Sequence, residues 1–172
     1  GAGGVAYINS FYWNDETPCW VFNGGIKGGG EAASHELGHT LGLGHDGRTS
    51  PVEEYYYGNG NWAPIMGVGY GADPVQWSKG EYLNANNQQD DLSIITSTPF
   101  VDDASRNIGF RPDEAGNTTA TAKLLAYNTS GDINTSNVGI LAQRTDIDIY
   151  YFNSTGGTAN ILVKNLSPYP NL

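Results

Sequence analysis

Residues 35–46 read HELGHTLGLGHD, and this stretch limits what the chain can fold into more than any other. His35 and His39 are four apart, so on a helix they share one face, one turn from each other. Two imidazole nitrogens placed that way can hold one metal ion at about 2.0–2.1 Å. His45 is six residues beyond His39, too far along a continuing helix to meet the same ion, so the chain has to turn back between them. Gly42 lies in that interval, and a glycine adopts the left-handed backbone such a reversal needs at little steric cost. The result is a three-nitrogen site with an open fourth position, a donor set suited to zinc. Glu36, beside the first ligand, is placed to take a proton from a water polarised by the metal. The chain has three histidines, and all of them lie in this motif.

The sequence around the motif predicts an α+β fold. Glu31–Leu41 reads as the helix that carries it, with Ala32, Ala33, Leu37 and Leu41 as the apolar stripe and Glu31 acidic in the first turn. The glycine-rich stretch 23–30 before it reads as a flexible loop. Val5–Trp13, rich in β-branched and aromatic residues, and the short run Cys19–Phe22 read as strands. Residues 46–62 are turn-rich, and 63–66 form a tight apolar turn. A second helix is expected after a cap at Asp90, carrying Leu92, Ile94 and Ile95. Composition changes near Pro99, which separates 1–99 from 112–172 with a linker over 100–111. The later part is rich in Thr, Asn and Gly. Its alternating runs at 147–152 and 160–163 predict strands of a small all-β sandwich.

Charge and cysteine content narrow the function. The formal charge of −10 argues against nucleic acid and anionic membranes as partners. No apolar run is long enough to span a bilayer. With one cysteine, Cys19, the chain cannot form an internal disulfide framework.

Met66, in APIMG, follows the last histidine by about twenty residues. With HExxHxxGxxH it completes a pattern that resembles the metzincin zinc peptidases. Asp46 directly after His45 resembles the adamalysin (reprolysin) branch, and the lack of that branch's cysteines points to a bacterial, reprolysin-like relative. The resemblance implies a zinc endopeptidase acting on polypeptides. It implies His35, His39 and His45 as ligands, Glu36 as the catalytic base, Met66 in a turn beneath the histidines, and Asp46 as a buried anchor beside that turn. It also implies that an edge strand, here Val5, Ala6, Tyr7 and Ile8, pairs with substrate, and that Trp77 and Tyr82 shape a neighbouring pocket. Some metzincins carry a tyrosine two residues after the methionine; here that residue is Val68.

Three segments, DEAGNTTATAKLL (113–125), TDIDIYYF (145–152) and the terminal PNL (170–172), resemble the bacterial pre-peptidase C-terminal domain, a β-sandwich attached to secreted peptidases. Asp113, Glu114, Asp146 and Asp148 are then candidates for calcium, with solvated surface charges as the alternative. Only 34 residues precede His35, so the chain reads as an internal piece of a longer secreted precursor. Two other readings compete with the peptidase: a non-catalytic binding or adhesion module stabilised by zinc, and an inactive fragment. Glu36 separates them from it, because a structural site needs no base beside its ligands.

Overall fold

The computed structural model describes residues 3–134, 137–143 and 145–163; the terminal PNL lies outside them. The fold is α+β, with two helices and several two-stranded ladders. The chain divides into two compact units between Gly109 and Phe110. No helix among the described residues is long and apolar enough to cross a membrane.

In the first unit β1 (Gly4–Val5) pairs antiparallel with β2 (Trp20–Val21), and both lie against helix α1 (Ile26–Thr40). The strand expected over Val5–Trp13 stops after Val5. Asn9 has φ +63° and Ser10–Tyr12 winds into a 3-10 turn. Asparagine tolerates the left-handed region, and the Asn9 N–H donates to the His39 carbonyl at 3.0 Å, so this segment seals the end of α1 instead of extending a sheet.

Helix α1 begins five residues before the expected start. It takes in much of the glycine-rich stretch read as a loop, and its first turn contains no acidic residue. Each interior glycine costs a helix about 1 kcal/mol relative to alanine. A tertiary tie opposes that cost. Lys27 Nζ donates to the Ala72 carbonyl at 2.6 Å and pairs with Glu31 Oε1 at 2.6 Å, one helical turn on. Glu31 is therefore a buried residue in the second turn and not an exposed acid at the helix start.

The far end of α1 closes as the sequence predicts. Gly42 has φ +98°. Its N–H donates to His39 O at 2.9 Å, and the Leu43 N–H donates to Gly38 O at 3.0 Å. This is the paired-bond pattern of a Schellman turn, and it sends the chain back along the helix.

Leu43, Met66 and Asp46 are fully buried below that reversal. Ladder β3–β4 (Arg48–Thr49, Val52–Glu53) follows. Parallel ladder β5–β6 (Ala63–Pro64, Val75–Gln76) then flanks the turn that carries Met66. Helix α2 (Asp91–Ser97) starts where expected: the Asp90 side chain caps it by accepting the Ser93 N–H at 3.1 Å. Residues 100–109 are bonded to the end of α2, with Ile108 N donating to Thr98 O at 2.9 Å and Gly109 N to Thr96 O at 3.0 Å.

Among its described residues the second unit holds one ladder, parallel β7–β8 (Lys123–Leu124, Tyr150–Tyr151), and an isolated bridge between Tyr127 and Ile133. The longer strands read at 147–152 and 160–163 are not formed. Of the first, only Tyr150–Tyr151 pairs. Ile161, Leu162 and Val163 are largely exposed, so alternation there buries no face. No sandwich is formed among the described residues.

The reversal at Gly42 can be tested. A Cβ at this position would lie 2.5 Å from Asn9 Oδ1 on a backbone of φ +98°. Gly42→Ala should cost about 1–3 kcal/mol of stability in urea unfolding, whereas Gly24→Ala, which meets no atom within 4 Å, should leave stability within about 0.5 kcal/mol.

Candidate metal centre

The reversal returns His45 to the helix face that carries His35 and His39. Ring centroids are 4.7 Å apart for His35 and His39, 4.8 Å for His39 and His45, and 5.3 Å for His35 and His45. One nitrogen from each ring lies within 4.8 Å of the others.

Each ring is oriented through its other nitrogen. His35 Nδ1 is 2.8 Å from the Ile65 carbonyl and His39 Nδ1 is 2.8 Å from the Leu43 carbonyl. His45 Nδ1 is 3.3 Å from Glu54 Oε1. Oxygen acceptors at Nδ1 keep the proton there, which leaves Nε2 as a lone-pair donor. Yet His39 Nε2 and His45 Nε2 face each other at 3.0 Å. Two lone pairs that close repel unless a cation lies between them. Nitrogens sharing one tetrahedral zinc sit about 3.3–3.4 Å apart, so the pair is already close to ligand spacing. The donor set fits a zinc ion, which His35, His39 and His45 would hold.

Electrostatics favour the same state. Burial, reinforced by its two histidine neighbours, lowers the pKa of His35 from 6.5 to about 4. Burial also lowers that of His45. His35 is therefore neutral at physiological pH, the form a metal ligand must take, and the shift at His45 runs in the same direction.

Glu36 is buried and lies against β1: a Cβ on Gly4 would fall 2.7 Å from Glu36 Oε1 and 2.5 Å from the Trp20 carbonyl. Burial raises its pKa, opposed by His39. A carboxylate raised in this way is a better proton acceptor at neutral pH.

Met66 lies against the helix at Gly38, between His35 and His39. A Cβ on Gly38 would be 2.6 Å from its sulfur. Asp46 is buried, and its N–H donates to Met66 O at 2.9 Å. Burial raises the Asp46 carboxyl to about 6, against hydrogen bonds from Ser78 and Tyr82.

The other expected site residues are more dispersed. Of the substrate-strand candidates, only Val5 is in a strand. Ala6 is half-buried, while Tyr7 and Ile8 are exposed, with the Tyr7 ring packed on Trp13 and Trp20. Trp77 packs near Gly38. Tyr82 stacks on Tyr56 at 4.2 Å and donates to the Gly47 carbonyl, so it belongs to an aromatic support and does not line the site. In the second unit, Asp113, Asp146 and Asp148 bring oxygens within 4.8 Å of one another. Glu114 instead accepts the Ile140 N–H.

Two tyrosines lie at the centre: Tyr55, which the sequence did not single out, and Tyr70, four residues past Met66, to which the sequence assigns no role. Tyr55 lies 4.2 Å from the His45 ring. Burial, with Glu54 and Glu36 nearby, raises its pKa. Tyr70 lines the cavity beside His35. In the run EEYYY nothing distinguishes Tyr55 from its neighbours, because only the chain reversal decides which ring meets His45.

No family model, no curated protein and no solved structure matches this chain.

The purified chain should bind one equivalent of zinc by elemental analysis, and His39→Ala should lose it. Because protons reach His35 only near pH 4, zinc release on acidification should have its midpoint well below 6.5. A midpoint at or above 6.5 would show that the rings do not adopt the neutral, buried arrangement described.

Proposed function

We propose that this protein is a secreted zinc-dependent endopeptidase of the metzincin type. The reading rests on one observation: one nitrogen from each of three imidazoles converges, Nε2 for His39 and His45, while the Nδ1 atoms face oxygen acceptors, with a buried carboxylate beside them. When bound, zinc would supply Lewis-acid polarisation of a carbonyl and of water. The protein's own residues do the rest. His35, His39 and His45 hold the ion, and the Ile65 and Leu43 carbonyls fix two of the rings. Glu36, packed beside Gly4 of β1, accepts a proton at its carboxylate and returns it to the leaving amine. Tyr55 and Tyr70, whose hydroxyl pKa values are raised by burial, lie close enough to Glu36 for its charge to raise them further.

The position of Glu36 argues against a purely structural centre. Burying a carboxylate costs free energy, and a zinc site that only stabilises a fold has no need of a basic group beside its ligands.

Glu36→Gln should keep stoichiometric zinc and lose about 10²–10⁴-fold of peptide cleavage, measured on casein or an internally quenched peptide with and without chelator. If the zinc-loaded wild type cleaves nothing, or Glu36→Gln cleaves at the wild-type rate, the catalytic assignment fails.

A further inference from the structure

The turn that brings His45 back to the helix is held by side chains from a later part of the chain. Residues 84–89 read NANNQQ, a polar run remote in sequence from the histidines. Its Asn87 and Gln89 are half-buried and close on residues 42–44. Gln89 Oε1 accepts the Gly44 N–H at 2.8 Å, and Gln89 Nε2 donates to the Gly42 carbonyl at 3.1 Å. Asn87 Nδ2 donates to Gln89 Oε1 at 3.1 Å and to the Gly44 carbonyl at 3.2 Å, and Asn87 Oδ1 accepts the Gln89 N–H at 3.0 Å. An amide side chain carries an acceptor and a donor, so one glutamine serves Gly42 and Gly44 together. Asn87 fixes which end of that amide faces which glycine.

The bond to Gly44 matters because of what lies at the other end of the same peptide. The Leu43 carbonyl and the Gly44 N–H belong to one planar trans unit and point in opposite directions. The Leu43 carbonyl faces His39 Nδ1 at 2.8 Å. One rigid plane is therefore held at both ends, by Gln89 on the outside and by a metal-site histidine on the inside. Rotating that plane breaks both contacts at once. The two bonds also polarise each other, since an amide whose N–H is engaged has a stronger carbonyl acceptor.

We infer that Gln89 is a positioning residue for the metal centre: through the 43–44 peptide it keeps the Leu43 carbonyl on His39 Nδ1, so that Nε2 of His39 stays turned towards His45 and the shared ion. The inference rests on the reading of the three histidines as a metal site and is independent of what the metal then does. Asn84, five residues earlier in the run, donates from Nδ2 to the Ser50 carbonyl at 2.6 Å. It ties the same segment down without touching residues 42–44, and so serves as the comparison.

The test measures the zinc Kd of the folded full chain by competition with a chromogenic chelator, together with urea unfolding and the visible spectrum of the cobalt-loaded protein. Gln89→Met, similar in length but without the amide, should raise Kd about tenfold or more and shift the cobalt bands. Gln89→Glu keeps an acceptor for the Gly44 N–H and should stay within about threefold of the wild type. Asn84→Ala should lower stability while leaving Kd and the cobalt bands where they are. Wild-type Kd in folded Gln89→Met overturns the inference, as does Gln89→Glu or Asn84→Ala binding zinc as weakly as Gln89→Met. Should Gln89→Met not fold, Gln89→Asn, one methylene too short to span both glycines, takes its place with the same expected rise. A wild type that binds no zinc refutes the metal centre and the role of Gln89 with it. A wild type that binds zinc but cleaves no peptide sinks the peptidase reading alone.

Discussion

The site depends on two backbone hydrogen bonds that close α1, from Gly42 to His39 and from Leu43 to Gly38. They turn the chain through a left-handed residue and set three things at once. His45 comes back over the helix. The Leu43 carbonyl reaches His39 Nδ1. Asp46 arrives where its N–H meets the carbonyl of Met66. One local motif of a few residues therefore converts a linear spacing into a three-dimensional donor set. Asn9, reaching the same carbonyl of His39 from an earlier part of the chain, locks the reversal from outside.

What the sequence made legible was local. The spacing of His35 and His39, the break at Gly42 and the cap at Asp90 are each decided within a few residues, and the structure places them accordingly. Readings that failed depended on partners far along the chain. The glycine-rich start of α1 looks like a loop until Lys27 finds the carbonyl of Ala72, 45 residues away. The run from Val5 to Trp13 has strand composition, yet Asn9 leaves the extended region to bond the end of the helix. In the second unit, alternation at 160–163 finds no strand partner among the described residues, and exposed alternation alone does not make a sheet.

The orientation of the centre was likewise hidden. Nothing in the spacing of the histidines names Ile65 as the acceptor for His35, or Tyr55 as the ring lying on His45. Both follow from how residues 46–66 wrap back to the helix, anchored by Asp46, Tyr56 and Met66. The choice of candidate ligands is thus written in the motif, whereas the orientation of their rings is set by the surrounding loops, a division common to metal sites whose outer partners are main-chain carbonyls.

The approach of Gly4 to Glu36 has a consequence for how the chain can vary. The first strand passes so close to the carboxylate that even a methyl group at position 4 would meet both it and the carbonyl of Trp20. The strand thus limits the space beside the carboxylate, and holding a group in place in advance is a form of preorganisation that keeps a reacting group in register. A residue remote in sequence from the three histidines therefore sets where the nearby acid group rests, and drift in the N-terminal strand would be felt at the centre without any ligand changing.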